Sequence, residues 1–314
     1  MKRNIFIIIA ILAFANCLAQ TDKKLFVADS ITKEPVEYTC IVFTDTIGGT
    51  YSNDKGVFYI PQNIKQIEIS SIGYLSKIIT LQKNIDTIFL SPQVYEISEA
   101  KVSPSKKKRK PVELGYASEN KNNILFSHNR SGDEIAVYLP IGNENNIFRL
   151  MKQVIIRGET FKNRIFDGID YAAASIFKIN FYRVIENKKI GEIINTEDIV
   201  FTSDILKSKT KLDVSKYNIY MPENGIFVAV EWVGRINPDT KEIIINEKGG
   251  VQPYIRAAWK IPNTVVYEKR RFINSNTWQR VDKNHEIVKG SKSFLSYILK
   301  EDDIYTPLIS IVLE

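Results

Sequence analysis

The chain has 314 residues, of which 44% are hydrophobic and 25% are charged, and its formal net charge is +7. This composition excludes a disordered, collagen-like or strongly acidic protein, and it leaves room for two domains with a core in each. Only two cysteines are present, Cys17 and Cys40, which excludes a disulfide-rich scaffold.

The N-terminus, MKRNIFIIIAILAFANCLAQ, has the organisation of a secretory signal peptide. Two basic residues precede an unbroken apolar run over 5–15, which is shorter than the roughly 20 residues that a membrane-spanning helix needs. Cys17 and Ala19 occupy the −3 and −1 positions of a cut before Gln20. The sequence therefore predicts an exported protein that loses residues 1–19 and has no transmembrane span afterwards.

A cut before Cys17, which would then carry a lipid anchor, is the alternative. Asn16 is larger than the Gly, Ala or Ser that the lipoprotein peptidase usually accepts, and Phe14 stands where Leu is usual. The general signal peptidase is therefore favoured. We expect the mature protein in the periplasm, at the outer-membrane surface or secreted, with Cys40 lacking a partner for an intramolecular disulfide.

Residues 22–102 contain seven short β-rich segments separated by turn residues: KLFVAD, VEYTCIVFTDT, GTYS, GVFYIP, QIEISSIGY, KIITL and DTIFLS. Seven strands in fewer than ~90 residues is the spacing of a β-sandwich. In VEYTCIVF, alternate residues share one face until the segment becomes apolar on both sides, which predicts a central strand.

The segment SNDKG, 52–56, separates two of these predicted strands. Asn53, Asp54 and Gly56 tolerate positive φ or cap a tight turn with their own side chains, so the segment predicts a hairpin turn. A calcium loop would need further oxygen ligands and a closing bidentate Glu, whereas the chain continues directly into VFYIP. The hairpin is therefore favoured over a calcium site.

Four motifs in this region resemble the carboxypeptidase-like regulatory domain of exported and outer-membrane proteins of Gram-negative bacteria. The matching residues are Asp29, Thr32, Glu34, Pro35 and Val36; Gly49, Thr50, Ser52, Asn53, Gly56 and Phe58; Ser70, Gly73 and Tyr74; and Ile97, Glu99 and Val102. The resemblance implies a transthyretin-like β-sandwich and a setting in the cell envelope. It implies no activity, because such domains lack the catalytic part of the zinc peptidases.

Residues 103–115, SPSKKKRKPVELG, place five consecutive basic residues between two prolines. This composition predicts an extended linker that self-repulsion keeps solvated. In an exported chain such a run does not meet nucleic acid, and its electrostatic partners would be anionic components of the envelope, with which it would make weak contact. The sequence favours a simple spacer.

Residues 116–314 again have strand-like segments and little helical periodicity. The ten segments are DEIAVYLPI, RLMKQVIIRGE, SIFKINFYRVI, EDIVFT, TKLDVSKYNIYMP, GIFVAVEWVG, YIRAAWKI, NTVVYEKRR, NTWQRV and PLISIVLE. They predict a larger β-sandwich, of jelly-roll type, and an all-β chain. FKINFYRV, LDVSKYNI and PENGIFVAVEW resemble the C-terminal β-domain that often follows the regulatory domain, which implies a domain partition and no activity.

Signatures of catalysis are absent from the sequence. After signal cleavage the two histidines, His128 and His285, stand apart in polar contexts typical of surface loops, and no zinc-binding spacing is present. The sequence has no Gly-x-Ser-x-Gly elbow and no phosphate-binding loop, so we predict no metal, nucleotide or other cofactor. Paired carboxylates for glycoside hydrolysis remain open, because their separation is a property of the fold.

Glu231 interrupts the apolar segment GIFVAVEWVG. It is interpreted either as a strand-end carboxylate beside a core Trp232, which we favour, or as the polar floor of a cleft in which Arg183 or Arg256 pairs with it. The cleft would have Tyr182, Trp232 and Trp259 as walls that stack on a sugar or peptide, although aromatic residues of a β-sandwich are more often core. The candidate ligand-binding residues are Tyr182, Arg183, Glu231, Trp232 and Trp259.

Two classes of function are compatible with these features. The favoured one is a non-catalytic envelope protein, a two-domain binding or assembly module that presents its C-terminal sandwich to a glycan, peptide or outer-membrane partner. The alternative is a hydrolase or lyase with a carboxylate site in the C-terminal sandwich.

Overall fold

The computed structural model describes residues 22–82, 84–93, 109–116, 123–127, 130–158, 175–203, 209–237, 242–245, 254–259, 261, 263–273, 277–282 and 304–314. The predicted signal peptide, both histidines and Lys106–Lys108 of the predicted linker lie outside these residues. Contacts divide the chain into unit 1, which contains the described residues up to Ser70 with Leu75–Pro92, and unit 2, which contains Ser71–Tyr74 and the described residues from Gln93 onwards.

Unit 1 is a seven-stranded β-sandwich. Its strands are β1 (Lys23–Asp29), β2 (Cys40–Phe43), β3 (Gly49–Tyr51), β4 (Val57–Ile60), β5 (Gln66–Ser70), β6 (Lys77–Thr80) and β7 (Thr87–Leu90). One sheet has the order β4-β1-β7, with β1 antiparallel to β4 and parallel to β7, and the other has the order β3-β2-β5-β6. Both sheets contribute buried apolar side chains to the core: Leu25, Val27, Ile41, Phe58, Ile60, Ile67, Ile69, Ile88 and Leu90.

The turn SNDKG does not form the predicted hairpin. Strand β3 before it pairs with β2, whereas β4 after it pairs with β1 in the other sheet, so the turn carries the chain from one sheet to the other. The side chain of Asn53 organises this crossing, because its Oδ1 accepts hydrogen bonds from the N–H groups of Lys55 and Val57, both at 2.9 Å. Gly56 supplies the left-handed conformation, with φ at +71°.

Unit 2 has fifteen described strands and three single-turn 3-10 helices. The strands are β8 (Val112–Gly115), β9 (Asn123–Ser127), β10 (Asp133–Leu139), β11 (Met151–Ile156), β12 (Ser175–Ile185), β13 (Lys189–Ile193), β14 (Ile199–Ser203), β15 (Thr210–Asp213), β16 (Ile226–Ile236), β17 (Ile243–Ile244), β18 (Tyr254–Trp259), β19 (Val266–Arg270), β20 (Gln279–Arg280), β21 (Tyr305–Pro307) and β22 (Ile309–Leu313). The helices are Glu144–Asn146, Glu186–Lys188 and Ser215–Tyr217.

Three sheets make up unit 2. The largest has eight strands in the order β13-β12-β16-β10-β19-β20, with β14 beside β12 and β17 beside β16. The others have the orders β15-β11-β22-β8 and β21-β18-β9. All three sheets contribute to one core, through residues that include Ile135, Val154, Phe177, Val230, Ile255 and Ile311. The prediction of an all-β chain built of β-sandwich units is confirmed, and the second sandwich has more strands than the eight of a simple jelly roll.

Part of the predicted linker is a strand. Val112–Gly115 forms β8, which pairs antiparallel with β22 at the edge of its sheet, so the extension of the linker to Gly115 is wrong. The alternation of VELG explains the difference, because Leu114 packs against the core of unit 2 while Glu113 is exposed. The prediction followed the basic run over 106–110, and it therefore missed the short edge strand that comes directly after this run.

Candidate functional site

Strand β12 carries apolar and polar side chains in strict alternation over the segment FKINFY, 177–182. Its two phenylalanines and its isoleucine belong to the main core of unit 2. Lys178, Asn180 and Tyr182 therefore lie on the opposite face of the eight-stranded sheet, and all three are buried. Burial of three polar side chains in succession requires partners on the neighbouring strands.

Asp198, just before β14, is the partner of Lys178, with its Oδ2 2.9 Å from Nζ. Charged residues of β16, β10 and β19 surround the other two side chains. Glu231 of β16 lies opposite Lys178 of β12 and opposite Glu134 of β10. Glu134 in turn lies opposite Lys269 of β19. The sheet register thus creates one row with the order Lys, Glu, Glu, Lys, in which two carboxylates are direct neighbours. Like charges in that position repel each other, and Arg271, just after β19, supplies an additional cation.

The carboxylate of Glu134 is fully enclosed by donors. Lys269 Nζ lies 2.7 Å and Arg271 Nη2 lies 3.1 Å from its Oε2. Tyr182 Oη donates to its Oε1 at 2.6 Å, and Asn180 Nδ2 donates to the same oxygen at 2.8 Å. Four donors on two oxygens leave Glu134, which is 0% exposed, no free direction from which a substrate could approach.

The carboxylate of Glu231 shares two of these donors. Arg271 Nε lies 3.0 Å from its Oε1, and Arg271 Nη2 donates to its Oε2 at 3.1 Å. Asn180 Nδ2 donates to Oε2 at 3.0 Å, so one amide bridges the two glutamates. We call Glu134, Glu231, Asn180, Tyr182, Lys269 and Arg271 the glutamate network.

Aromatic rings cover the network on the side away from the main core. Lys269 Nζ lies 4.4 Å from the centroid of the Trp278 ring, which meets the Tyr182 ring edge-on at a centroid distance of 5.2 Å. A smaller apolar cluster that includes Phe227 and Tyr267 continues this layer. Burial, and then the neighbouring Arg271, lower the pKa of Lys269. Burial, and then Glu134, hold the pKa of Tyr182 well above its usual range, so its hydroxyl is a donor at all physiological pH values.

Strands β10 and β19 also place charged side chains on the opposite face of the sheet, which faces the main core. Asp133 precedes Glu134 and lies opposite Arg270, whose Nη2 is 3.3 Å from Glu268 Oε2. Burial, and then the charge of Glu268, raise the pKa of Asp133 to about 7. The hydroxyl of Tyr305 is buried beside Glu268 and Arg270, and burial holds its pKa well above its usual range.

The structure does not assemble the five candidate residues into one site. Tyr182 and Glu231 do lie together, in the glutamate network. Trp232 and Trp259 lie in the main core, 0% and 3% exposed, and cannot be walls of a cleft around Glu231. Arg183 is exposed near the end of β12.

The interpretation of Glu231 as a strand-end carboxylate beside Trp232 is also wrong. Glu231 lies in the middle of β16 and, by strand alternation, on the opposite face from Trp232. The guanidinium that contacts its carboxylate is that of Arg271, whereas Arg256, one of the two bases named for it, lies on β18 in a different sheet.

Sequence reasoning missed Glu134, Asn180, Lys269 and Arg271. The signal that could have found them is the alternation of FKINFY together with the paired segments DE, 133–134, and EKRR, 268–271. Successive residues of a strand point to opposite faces of the sheet. The segments DE and EKRR therefore place part of their charges in the glutamate network and the rest on the main-core face. What the sequence does not contain is the pairing of β10 with β19, which brings the segments together.

Two further observations concern metals and membranes. Within the described residues, no three His, Cys, Asp or Glu side chains come together in a way that could hold a metal ion. Within the same residues, no helix is both long enough and apolar enough to cross a membrane.

Comparisons with known proteins leave the family of this chain open. No protein-family model matches the sequence, and no curated protein matches it. Among solved structures, the chain is similar to the cysteine protease and lectin-like domains of Cwp84, a surface-layer-associated protein of Clostridium difficile, with 9% identity and a TM-score of 0.30. The match covers 85% of this chain and 45% of that one, and at this TM-score it carries no argument about function.

Proposed function

We propose that this protein is a non-catalytic module of the cell envelope, which uses unit 2 to bind a glycan, a peptide or an outer-membrane partner. The observation that carries the proposal is the closure of the glutamate network. Glu134 and Glu231 are 0% and 2% exposed, and their four carboxylate oxygens are held by Lys269, Arg271, Asn180 and Tyr182. Carboxylates that hydrolyse or eliminate need access to a substrate, and a buried ion network instead supports a rigid scaffold.

The surface at the exposed end of β12 is the part of unit 2 that we assign to the partner. Arg183 is exposed there, and Ile185 nearby is 52% exposed. Lys188 Nζ lies 5.3 Å from the centroid of the Tyr138 ring. Exposed cations at Arg183 and Lys188, one followed by an exposed aliphatic side chain and the other over an aromatic ring, favour an anionic glycan or an acidic peptide.

The proposed location rests on the N-terminus and on the motifs of residues 22–102. The signal-like segment supports export, and the resemblance to the carboxypeptidase-like regulatory domain supports the envelope of a Gram-negative bacterium, in the periplasm, at the outer-membrane surface or secreted. Fractionation of cells that express the full chain tests this part. Recovery of the protein with its N-terminal segment intact in the cytosol would contradict it.

Binding and hydrolysis can be separated in one series of assays. Acidic envelope polysaccharides and acidic peptides are incubated with the full chain, and both the bound fraction and any shortened or unsaturated product are measured. We expect binding without product. Arg183→Ser should weaken binding, whereas Lys211→Ser, which removes an exposed cation from β15 in another sheet, should not.

Product formation would contradict the proposal if it depended on the glutamates. Glu134→Gln and Glu231→Gln test this dependence, with Glu186→Gln, at an exposed position, as the matched control. Loss of product in the first two variants alone would establish the hydrolase or lyase alternative. Absence of both binding and product would contradict the binding proposal without supporting an enzyme.

A further inference from the structure

A lysine and an asparagine contact the two oxygens of the same buried carboxylate. Lys269 Nζ lies 2.7 Å from Glu134 Oε2, and Asn180 Nδ2 donates to Glu134 Oε1 at 2.8 Å. The amine and the carboxamide are thus separated by one carboxyl group. We propose that Lys269 and Asn180 react to form an intramolecular isopeptide bond, which joins β19 to β12.

The surroundings favour this reaction over hydrolysis. Asn180, Glu134 and Lys269 are 0%, 0% and 6% exposed, and the rings of Trp278 and Tyr182 lie against the lysine. Exclusion of water removes the competing nucleophile, and fixed neighbours convert a bimolecular step into an intramolecular one.

Glu134 is placed to move the protons that the reaction requires. Its Oε2 accepts a proton from the Lys269 ammonium, and the free amine attacks Cγ of Asn180 to form a tetrahedral intermediate. The protonated carboxyl of Glu134 then rotates and gives this same proton to Nδ2, and the C–N bond of the carboxamide breaks. The former amine gives up its surplus proton to the departing ammonia. The products are an amide between Nζ and Cγ and one ammonium ion, so atoms and charge balance without an oxidant or a co-reactant.

The other members of the glutamate network support the same step. Burial and the neighbouring Arg271 lower the pKa of Lys269, which favours the free amine. Glu231 Oε2 accepts the second hydrogen bond of Asn180 Nδ2 at 3.0 Å and fixes the carboxamide. Within the described residues, Asn180 Oδ1 is buried and has no hydrogen-bond partner, so no interaction of the carbonyl has to be broken during attack.

The bond would join two strands that flank the central strands of the eight-stranded sheet. In the sheet order, β16 and β10 lie between β12 and β19, so a link from Asn180 to Lys269 closes over two intervening strands. Among the described residues, the one cysteine is Cys40, which is buried in unit 1, so the described part of unit 2 contains no disulfide that could serve this purpose. A covalent link of this kind stabilises a fold mainly by constraining its unfolded chain.

Mass spectrometry of the purified full-length or naturally processed protein tests the proposal directly. We expect an intact mass about 17 Da below that of the sequence, which corresponds to one lost ammonia. Tryptic digestion should yield a branched peptide that joins the segments containing Asn180 and Lys269, with no cleavage after Lys269. An unmodified intact mass in the folded wild type would overturn the proposal. A deficit of about 18 Da with Lys269 joined to Glu134 would overturn it as well.

Variants confirm the residues involved. Lys269→Arg and Asn180→Ala should each abolish the deficit, and so should Glu134→Gln, whereas Lys178→Arg, on the same face of β12, should retain it. Since an N-terminal Gln20 would also lose one ammonia on cyclisation, the branched peptide of the wild type decides the question. Failure of a variant to fold therefore does not leave the proposal standing. The bond does not depend on the partner of unit 2, so this result and the binding result are independent.

Discussion

Glu134 and Glu231 lie directly opposite each other on β10 and β16, and a single guanidinium nitrogen contacts both: Arg271 Nη2 lies 3.1 Å from an oxygen of each carboxylate. Two adjacent buried anions are tolerated because Arg271 balances their charge at short range, together with Lys269 until the proposed bond forms. The network therefore depends on each cation, and removal of one should cost far more than removal of an exposed charge.

Arg271→Met should destabilise unit 2 by about 3 to 5 kcal/mol, because it removes the guanidinium that contacts both buried carboxylates. Denaturant unfolding of the full chain measures the change. Arg183→Met removes an exposed arginine from the same sheet and should alter the free energy of unfolding by no more than about 0.5 kcal/mol. The double variant Arg271→Met with Glu231→Gln should be more stable than Arg271→Met alone; equal stability would mean that the two side chains are not coupled.

Asp133 should make unit 2 less stable as the pH rises. Its folded-state pKa of about 7 exceeds the ordinary value of 3.8, so the folded chain holds a proton that the unfolded chain has released. The stabilisation is complete below pH ~4 and is lost as the pH rises to ~7, by roughly 2 to 4 kcal/mol in total. Burial is the largest cause of this raised pKa; among the charged groups, Glu268 raises it further, whereas Arg270 and Arg130 lower it.

Asp133→Asn should remove this pH dependence, since the amide does not ionise. The quantity to compare is the difference between the free energies of unfolding of wild type and variant from pH 4 to pH 8, which cancels the other titrating groups. A difference that stays constant over this range would show that Asp133 is ionised throughout.

Arg149 should hold the end of β22 to the start of β8. Its Nη2 donates to the carbonyl of Lys110 at 2.5 Å and to that of Leu313 at 3.1 Å, and the residue is 6% exposed. Arg149→Met leaves the buried carbonyl of Leu313 and the partly buried carbonyl of Lys110 without this donor, and we expect a loss of about 1 to 3 kcal/mol with faster amide exchange in β8 and β22. Arg109→Met, which loses one exposed bond to Asn145, should leave that exchange unchanged.

Gly56→Val should destabilise unit 1. A Cβ at this position would lie 2.4 Å from the carbonyl oxygen of Val27, and φ of +71° strains any L side chain, so we expect a loss of about 1 to 3 kcal/mol or more. Asp54→Ala, at an exposed neighbouring position, should cost at most about 0.5 kcal/mol. Thermal melts with calcium and with chelator should coincide; a calcium-dependent shift would restore the calcium loop as an interpretation.

Most strands could be predicted from the sequence because a strand is indicated by the composition and alternation of a few neighbouring residues. All seven segments named for unit 1 and all ten named for unit 2 coincide with described strands. The missed strands were short or polar, such as Lys189–Ile193, whose alternation spans too few residues to stand out. The SNDKG turn was misjudged because the same residues suit a hairpin and a crossing between sheets, and the choice depends on the partners of β3 and β4.

The candidate site was less accessible, because it depends on pairing between distant segments. Alternation alone could have separated Glu231 from Trp232, but the sequence offers several arginines as partners for Glu231. Arg271 contacts Glu231 because β16, β10 and β19 are consecutive strands of one sheet, so that a long side chain just after β19 can extend past β10 to β16. A local pattern can therefore identify a buried polar face, whereas the identity of the ions that neutralise it follows from strand order.

The position of β22 affects how unit 2 can be made. Among the described strands it is the last in sequence order, yet it lies in the interior of its sheet, between β11 and β8. A nascent polypeptide therefore cannot assemble that sheet until Leu313 has left the ribosome, whereas all the strands of unit 1 have been synthesised once Leu90 is in place. Contacts between such distant segments slow folding, so unit 2 should complete its fold only after β22 has been synthesised, when unit 1 is already able to fold.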